Sequence, residues 1–237
     1  MPVRQYLELQ FRQTAKELVQ IHSSSGVAND VGLVFPKYRD KMLRVCEQEA
    51  KVLFLHNVLS ERRYRVAVEK PTDGEFSFNG TGKRSAQVDV ALFTSGYDAE
   101  VLIEFKADNR STGIQKDLEK LICEQKTGGW FHTLGAADSG TLPSVAAKFE
   151  NAFSALCNHL VVAQPHDCLF AFCIIAKRVL LYRWPPLGGK DALDSLTAGF
   201  EDLSLNSTSW TKHTLEPTSP APESAPAEVV VGETECD

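Results

Sequence analysis

Six cysteines are spread along the chain without one Cys-x-x-Cys pair: Cys46, Cys123, Cys157, Cys168, Cys173 and Cys236. The six histidines show no metal-ligand spacing either, which argues against a zinc site. No Gly-x-Ser-x-Gly is present, so a serine hydrolase built on that elbow has no support. The one glycine-rich loop, Asn79 to Ser85, is not a nucleotide-binding P-loop, because Arg84 stands where Ser or Thr is required and the upstream glycine is misplaced. No internal repeat is visible. No uninterrupted apolar run is long enough to span a bilayer, and the Met-Pro-Val-Arg-Gln start lacks the apolar core of a signal peptide. Several cysteines lie inside apolar runs, where a reduced thiol behaves as a small hydrophobe. The expectation is a reducing, cytoplasmic compartment with no membrane partner.

The 237 residues, 43% hydrophobic and 24% charged, suit a soluble α/β domain with appendages. A basic excess is missing: the formal charge is −6. From Leu205 to Asp237 six acids face one base, a net of −5, which leaves −1 for the rest. A nearly neutral body is compatible with local basic patches but does not announce a nucleic-acid binder.

Apolar spacing predicts a helix over about Val3 to Ile21 and a second over about Lys41 to Leu59. Arg62 to Glu69 reads as a strand closed by Pro71 and Asp73-Gly74. Two more strands are expected at Ser85 to Phe93 and Val101 to Ala107. Ser111 or Thr112 can cap a helix running to about Gln125, with Gly128-Gly129 as its stop. A further helix is expected over Ser144 to Leu160, then a strand buried on both faces at Cys168 to Ile175, then a strand at Val179 to Trp184. Three parts follow: an N-terminal helical extension (1–35), an α/β core (36–203), and a disordered acidic Pro/Ser-rich tail (204–237) that can recruit a basic partner. Trp130 and His132 read as core aromatics beyond the helix stop, and Arg62-Arg63-Tyr64-Arg65 as a solvated strand entry.

The residues that carry chemistry interrupt the paired strands. Asp89 breaks Val88 to Phe93, and Glu104 and Lys106 break Val101 to Ala107. Side chains alternate along a strand, so Glu104 and Lys106 share one face while Ile103 and Phe105 take the other. Two carboxylates and an amine then converge at a sheet edge. Mg²⁺ takes oxygen ligands and keeps several waters, so Asp89, Glu104 and the Phe105 carbonyl suffice to hold Mg²⁺ or Mn²⁺. Such an ion offsets phosphate charge and makes a water nucleophilic. Lys106 would orient that water or, with a lowered pKa, act as a base. The same residues would also serve as an ordinary surface salt bridge between strands, worth about 0–1 kcal/mol.

Asp89, then Glu104-Phe105-Lys106 after fourteen intervening residues, resembles the PD-(D/E)XK nuclease superfamily. The resemblance covers roughly Lys41 to Ile175 and departs from the name-giving motif in having Val88 where proline stands. It implies a mixed central sheet flanked by helices, a restriction-endonuclease-like core in the order helix, strand, strand, strand, helix, strand. It implies a Mg²⁺-dependent nuclease, expected to act on DNA, with Asp89, Glu104, Lys106 and a helix acid as catalytic residues. Glu47 is the better-placed acid and Glu49 the second. Lys116 and Lys120 are expected to face the site, with Gln115 behind them, and Lys83 and Arg84 to contact phosphates. Cutting two strands would favour a homodimer. The alternative on the same fold is a catalytically silent module that binds nucleic acid or protein.

Overall fold

The computed structural model describes residues 1–23, 27–28, 33–37, 46–76, 84–94, 96–107, 113–136 and 138–216. Six helices are present among them: α1 (Val3–Ser23), α2 (Glu47–Glu61), α3 (Ile114–Glu124), α4 (Thr141–Ala155), α5 (Cys157–Val162) and α6 (Ala192–Glu201). A two-stranded ribbon pairs β1 (Val27–Ala28) with β2 (Leu33–Val34). The main sheet holds β3 (Arg65–Phe76), β4 (Arg84–Phe93), β5 (Val101–Ala107), β6 (Thr127–Leu134), β7 (His166–Ile174), β8 (Val179–Arg183) and β10 (Thr211–Thr214), with β9 (Pro186–Leu187) attached to β7. Its order is β10-β8-β7-β6-β5-β4-β3. The β5–β6 and β6–β7 pairs are parallel and the others antiparallel. The expected mixed α/β sheet flanked by helices is therefore present.

Alternation fills both faces. Along β7, Leu169, Ala171 and Cys173 enter one core while Phe170, Phe172 and Ile174 enter the other. The first core lies under α1 and α2, where Phe11, Phe54, Phe105 and Phe131 meet ring to ring. The second lies under α3 to α6, around Phe149, Phe170 and Phe200.

Four expectations are corrected here. Residues 1–35 were expected to extend from the core, but Tyr6, Leu7, Phe11 and Leu18 of α1 are buried and form one wall of it, as is Phe35. Gly128-Gly129 does not stop a helix: α3 ends at Glu124, and both glycines open the central strand β6. A short apolar run beginning with two glycines gave no strand signal, and the reason for the glycines is tertiary. A Cβ on Gly129 would lie 3.1 Å from both Ile103 Cγ1 and Phe11 Cζ, so α1 crosses β6 where no side chain fits. Gly129→Ala should cost about 1–3 kcal/mol of overpacking in urea unfolding, and an unchanged midpoint would refute the close approach. The helix expected over Ser144 to Leu160 is broken into α4 and α5 at Leu156. Finally, residues 204–216 are part of the fold rather than of the expected tail. Trp210 is buried with its Nε1 donating to the Gly199 carbonyl at 2.8 Å, and β10 pairs with β8. Residues 217–237 lie outside the described residues.

Smaller shifts follow from local chemistry. Strand β3 runs past Pro71 and Gly74 with a change of register, which proline tolerates because β3 is an edge strand. The expected caps Ser111 and Thr112 lie outside the described residues, and Gly113 is the residue before α3. The order α2-β3-β4-β5-α3-β6 places its last strand at Thr127–Leu134, one strand earlier than expected. The run at Cys168 to Ile175 is the next parallel neighbour outward.

Candidate functional site

Asp89 stands where the sheet loses phase. Val88 packs into the core under α3 and Val90 into the core under α1 and α2, although residues two apart in a regular strand share a face. Across from it, between the pairs Val68–Val90 and Lys70–Val88, Glu69 takes a left-handed φ of 53°. That conformation costs a non-glycine residue about 1–2 kcal/mol. On the other side, the β4–β5 ladder ends at Val90–Ile103. The strands part there, and Asp89 Oδ2 accepts the Phe105 N–H at 2.8 Å in place of a ladder bond. The Phe105 carbonyl projects to the same side as its N–H, beyond the last β4–β5 pair.

Glu104 and Lys106 share a face as their spacing requires, and both reach α3. Lys120 Nζ lies 2.5 Å from Glu104 Oε1 and 2.6 Å from Asp117 Oδ1, and donates to the Gln87 carbonyl at 2.6 Å. Lys106 Nζ lies 2.6 Å from Asp117 Oδ2 and 3.9 Å from Glu47 Oε2. The start of α2 supplies Glu47 and, one turn on, Lys51. Lys51 Nζ bridges Asp89 Oδ1 and Glu69 Oε1, each at 2.9 Å.

Capping gives Glu47 and Glu49 different surroundings. Glu49 reaches back to the Cys46 backbone N–H at 3.2 Å and closes a capping box at the start of α2. Its carboxylate is committed to the helix terminus, while Glu47 faces Lys106.

Electrostatics follow from burial. Five carboxylates (Glu47, Glu69, Asp89, Glu104, Asp117) face three ammonium groups (Lys51, Lys106, Lys120), a net of −2. Burial, then the Asp117 charge, pushes the Glu104 carboxyl well above its ordinary range, against the pull of Lys120. Burial also raises Glu47. For Lys106, burial works to lower the pKa, but Asp117, Glu104 and Glu47 outweigh it and hold the ammonium above its ordinary value. Lys106 is therefore a cation at neutral pH in this arrangement. A raised ammonium does not have the lowered pKa that the expected base role requires.

The arrangement brings together Glu47, Asp89, Glu104, Phe105, Lys106 and Lys120. Lys120 is not placed for the phosphate contact expected of it, since its amine is buried and held by two carboxylates and a carbonyl. Lys116 and Gln115 lie on the exposed side of α3. Arg84 opens β4 five residues before Asp89, roughly 17 Å along the strand, and Lys83 lies outside the described residues. Lys51, Glu69 and Asp117 complete the cluster and were not anticipated. Helical spacing carried a signal for two of them: Lys51 follows Glu47 by four, and Asp117 precedes Lys120 by three. Nothing local marked Glu69, whose role depends on the strand irregularity.

Among the described residues, no three of His, Cys, Asp and Glu are grouped so as to hold a metal ion by themselves. Asp89 and Glu104 are oxygen donors of the kind Mg²⁺ takes, and Lys51 and Lys120 hold them here. Comparison of the chain with protein-family models, with curated proteins and with solved structures found no match in any of the three.

Proposed function

We propose that this protein is a metal-dependent nuclease. The observation that carries the reading is the convergence of Asp89, Glu104, Lys106 and Glu47 where β4 and β5 part. Where the two strands part, Asp89 and Lys106 are partly exposed with the Phe105 carbonyl beside them, and Glu104 lies buried behind, against Lys120. Asp89 and Glu104, with that carbonyl, would hold Mg²⁺ or Mn²⁺, which when bound supplies charge for the phosphate and lowers the pKa of a water. Glu47 and Lys106 flank the mouth. Lys106 offsets negative charge that develops on the phosphate and orients the attacking water. Asp117 fixes Lys106, and Lys120 keeps Asp117 and Glu104 from repelling one another. The substrate is proposed to be DNA, with the exposed bases Arg84 and Lys116 as backbone contacts.

A catalytically silent binding module is the second reading, favoured by Lys51 and Lys120 already neutralising Asp89 and Glu104. Metal titration separates the two. With Mn²⁺ at about 100 times its Kd, linkage stabilises the fold by about 2.7 kcal/mol, a melting shift of about 5 °C or more for a domain of this size. Asp89→Asn should melt without that shift. A wild type that melts identically with Mn²⁺ and with EDTA would favour the silent module.

A further inference from the structure

Asp89 has two oxygens and both are occupied. Oδ2 takes the Phe105 N–H, which fixes the carboxylate to β5. Oδ1 takes Lys51 Nζ at 2.9 Å. Lys51 is buried within α2, its side chain 6% exposed, while its other partner Glu69 is 48% exposed. A cation that binds Asp89 through Oδ1 therefore competes there with the Lys51 ammonium. Glu69, held toward Lys51 by a left-handed backbone that a glutamate rarely adopts, gives the amine a second place to rest.

Resting on the nuclease reading, we infer that Lys51 is an internal cation that holds Asp89 when no metal is bound, and that Glu69 sets how readily it lets go. Lys51 retreats to Glu69 as Asp89 Oδ1 is taken, so the buried ammonium is never left without a carboxylate. This makes metal affinity a property of a lysine and a glutamate that are not themselves ligands. It also gives the two residues opposite signs: removing Lys51 frees Asp89, whereas removing Glu69 leaves Lys51 with Asp89 as its remaining ion-pair partner among the described residues.

The test is Mn²⁺ binding to the full chain, read from the electron paramagnetic resonance of free Mn²⁺, with no substrate present. Lys51→Met should tighten binding by about tenfold, and Glu69→Gln should weaken it. In the Lys51→Met background, Glu69→Gln should have no further effect, because Glu69 acts through the amine. Lys51→Gln, which keeps a hydrogen bond to Asp89 without the charge, serves if the Met variant does not fold, and should also tighten binding. Unchanged or weaker binding in the folded Lys51 variant overturns the inference alone. So does an equal Glu69→Gln effect in both backgrounds, which would mean a simple field effect. An absence of Mn²⁺ binding in wild type and in both Lys51 variants would instead remove the nuclease reading, and the inference with it.

Discussion

Replacing Lys106 with alanine should lower metal-dependent cleavage by about 10²–10⁴-fold while Mn²⁺ binding and the fold persist. Of the three amines in the cluster, Lys106 is the most open, its side chain 18% exposed against 6% for Lys51 and 4% for Lys120. It is the one that solvent, and hence a scissile phosphate, can reach. Its loss leaves Asp117 with Lys120 still 2.6 Å away, so no buried carboxylate is stranded and stability should change little. Single-turnover cleavage, Mn²⁺ titration and urea unfolding on the same variant separate chemistry from binding and from folding. A variant that cuts at the wild-type rate would take Lys106 out of the reaction. One that loses Mn²⁺ binding in proportion to cleavage would make it part of the ion's site instead.

Lys120→Met should have the opposite profile, a large loss of stability. Glu104 is 1% exposed and pairs with Lys120 alone among the described residues, whereas Asp117 keeps Lys106 at 2.6 Å. Removing one partner of a buried ion pair costs about 3–5 kcal/mol, because the remaining charge is uncompensated. The sign of the pH dependence follows. Without Lys120 the Glu104 carboxyl, already raised by burial, loses the cation that pulls it down and rises further above its unfolded value. The destabilisation is then greatest above the folded value and is relieved as pH falls toward the ordinary carboxyl range, where Glu104 binds a proton. Glu104→Gln in the same chain should recover part of the loss at neutral pH, since the charge that lacked a partner is gone. Urea unfolding at neutral and acid pH reads both effects. A Lys120→Met variant as stable as wild type at neutral pH would mean that the cluster is wetter than its burial indicates.

Much of this site was legible because strand alternation is rigid. Glu104 and Lys106 had to share a face, and Ile103 and Phe105 had to take the other, whatever surrounded them. Helical spacing likewise put Lys120 toward the sheet. Lys51 escaped notice because a lysine in mid-helix ordinarily lies in water, and its burial depends on Asp89 arriving from β4, thirty-eight residues on. Asp117 was missed because only basic and amide side chains were sought on α3. The strand at Thr127–Leu134 opens on glycines that read as a helix stop, yet Gly129 makes room for Phe11 of α1 and Gly128 for Cys168 of β7, both distant in sequence. The same long range hid β10, whose pairing with β8 and whose Trp210 anchor at Gly199 no local pattern reports. Glu47 was the better-placed acid by helical spacing, and the capping box at Cys46 engages Glu49, the second choice.

Cleavage itself is the most direct test. The wild-type chain would be incubated with labelled linear, circular and single-stranded DNAs, in Mn²⁺ and in EDTA, with an RNA of matching length alongside. The account predicts cutting of at least one DNA in Mn²⁺ and none in EDTA. A full chain that binds Mn²⁺ through Asp89 yet cuts nothing in that panel would contradict it.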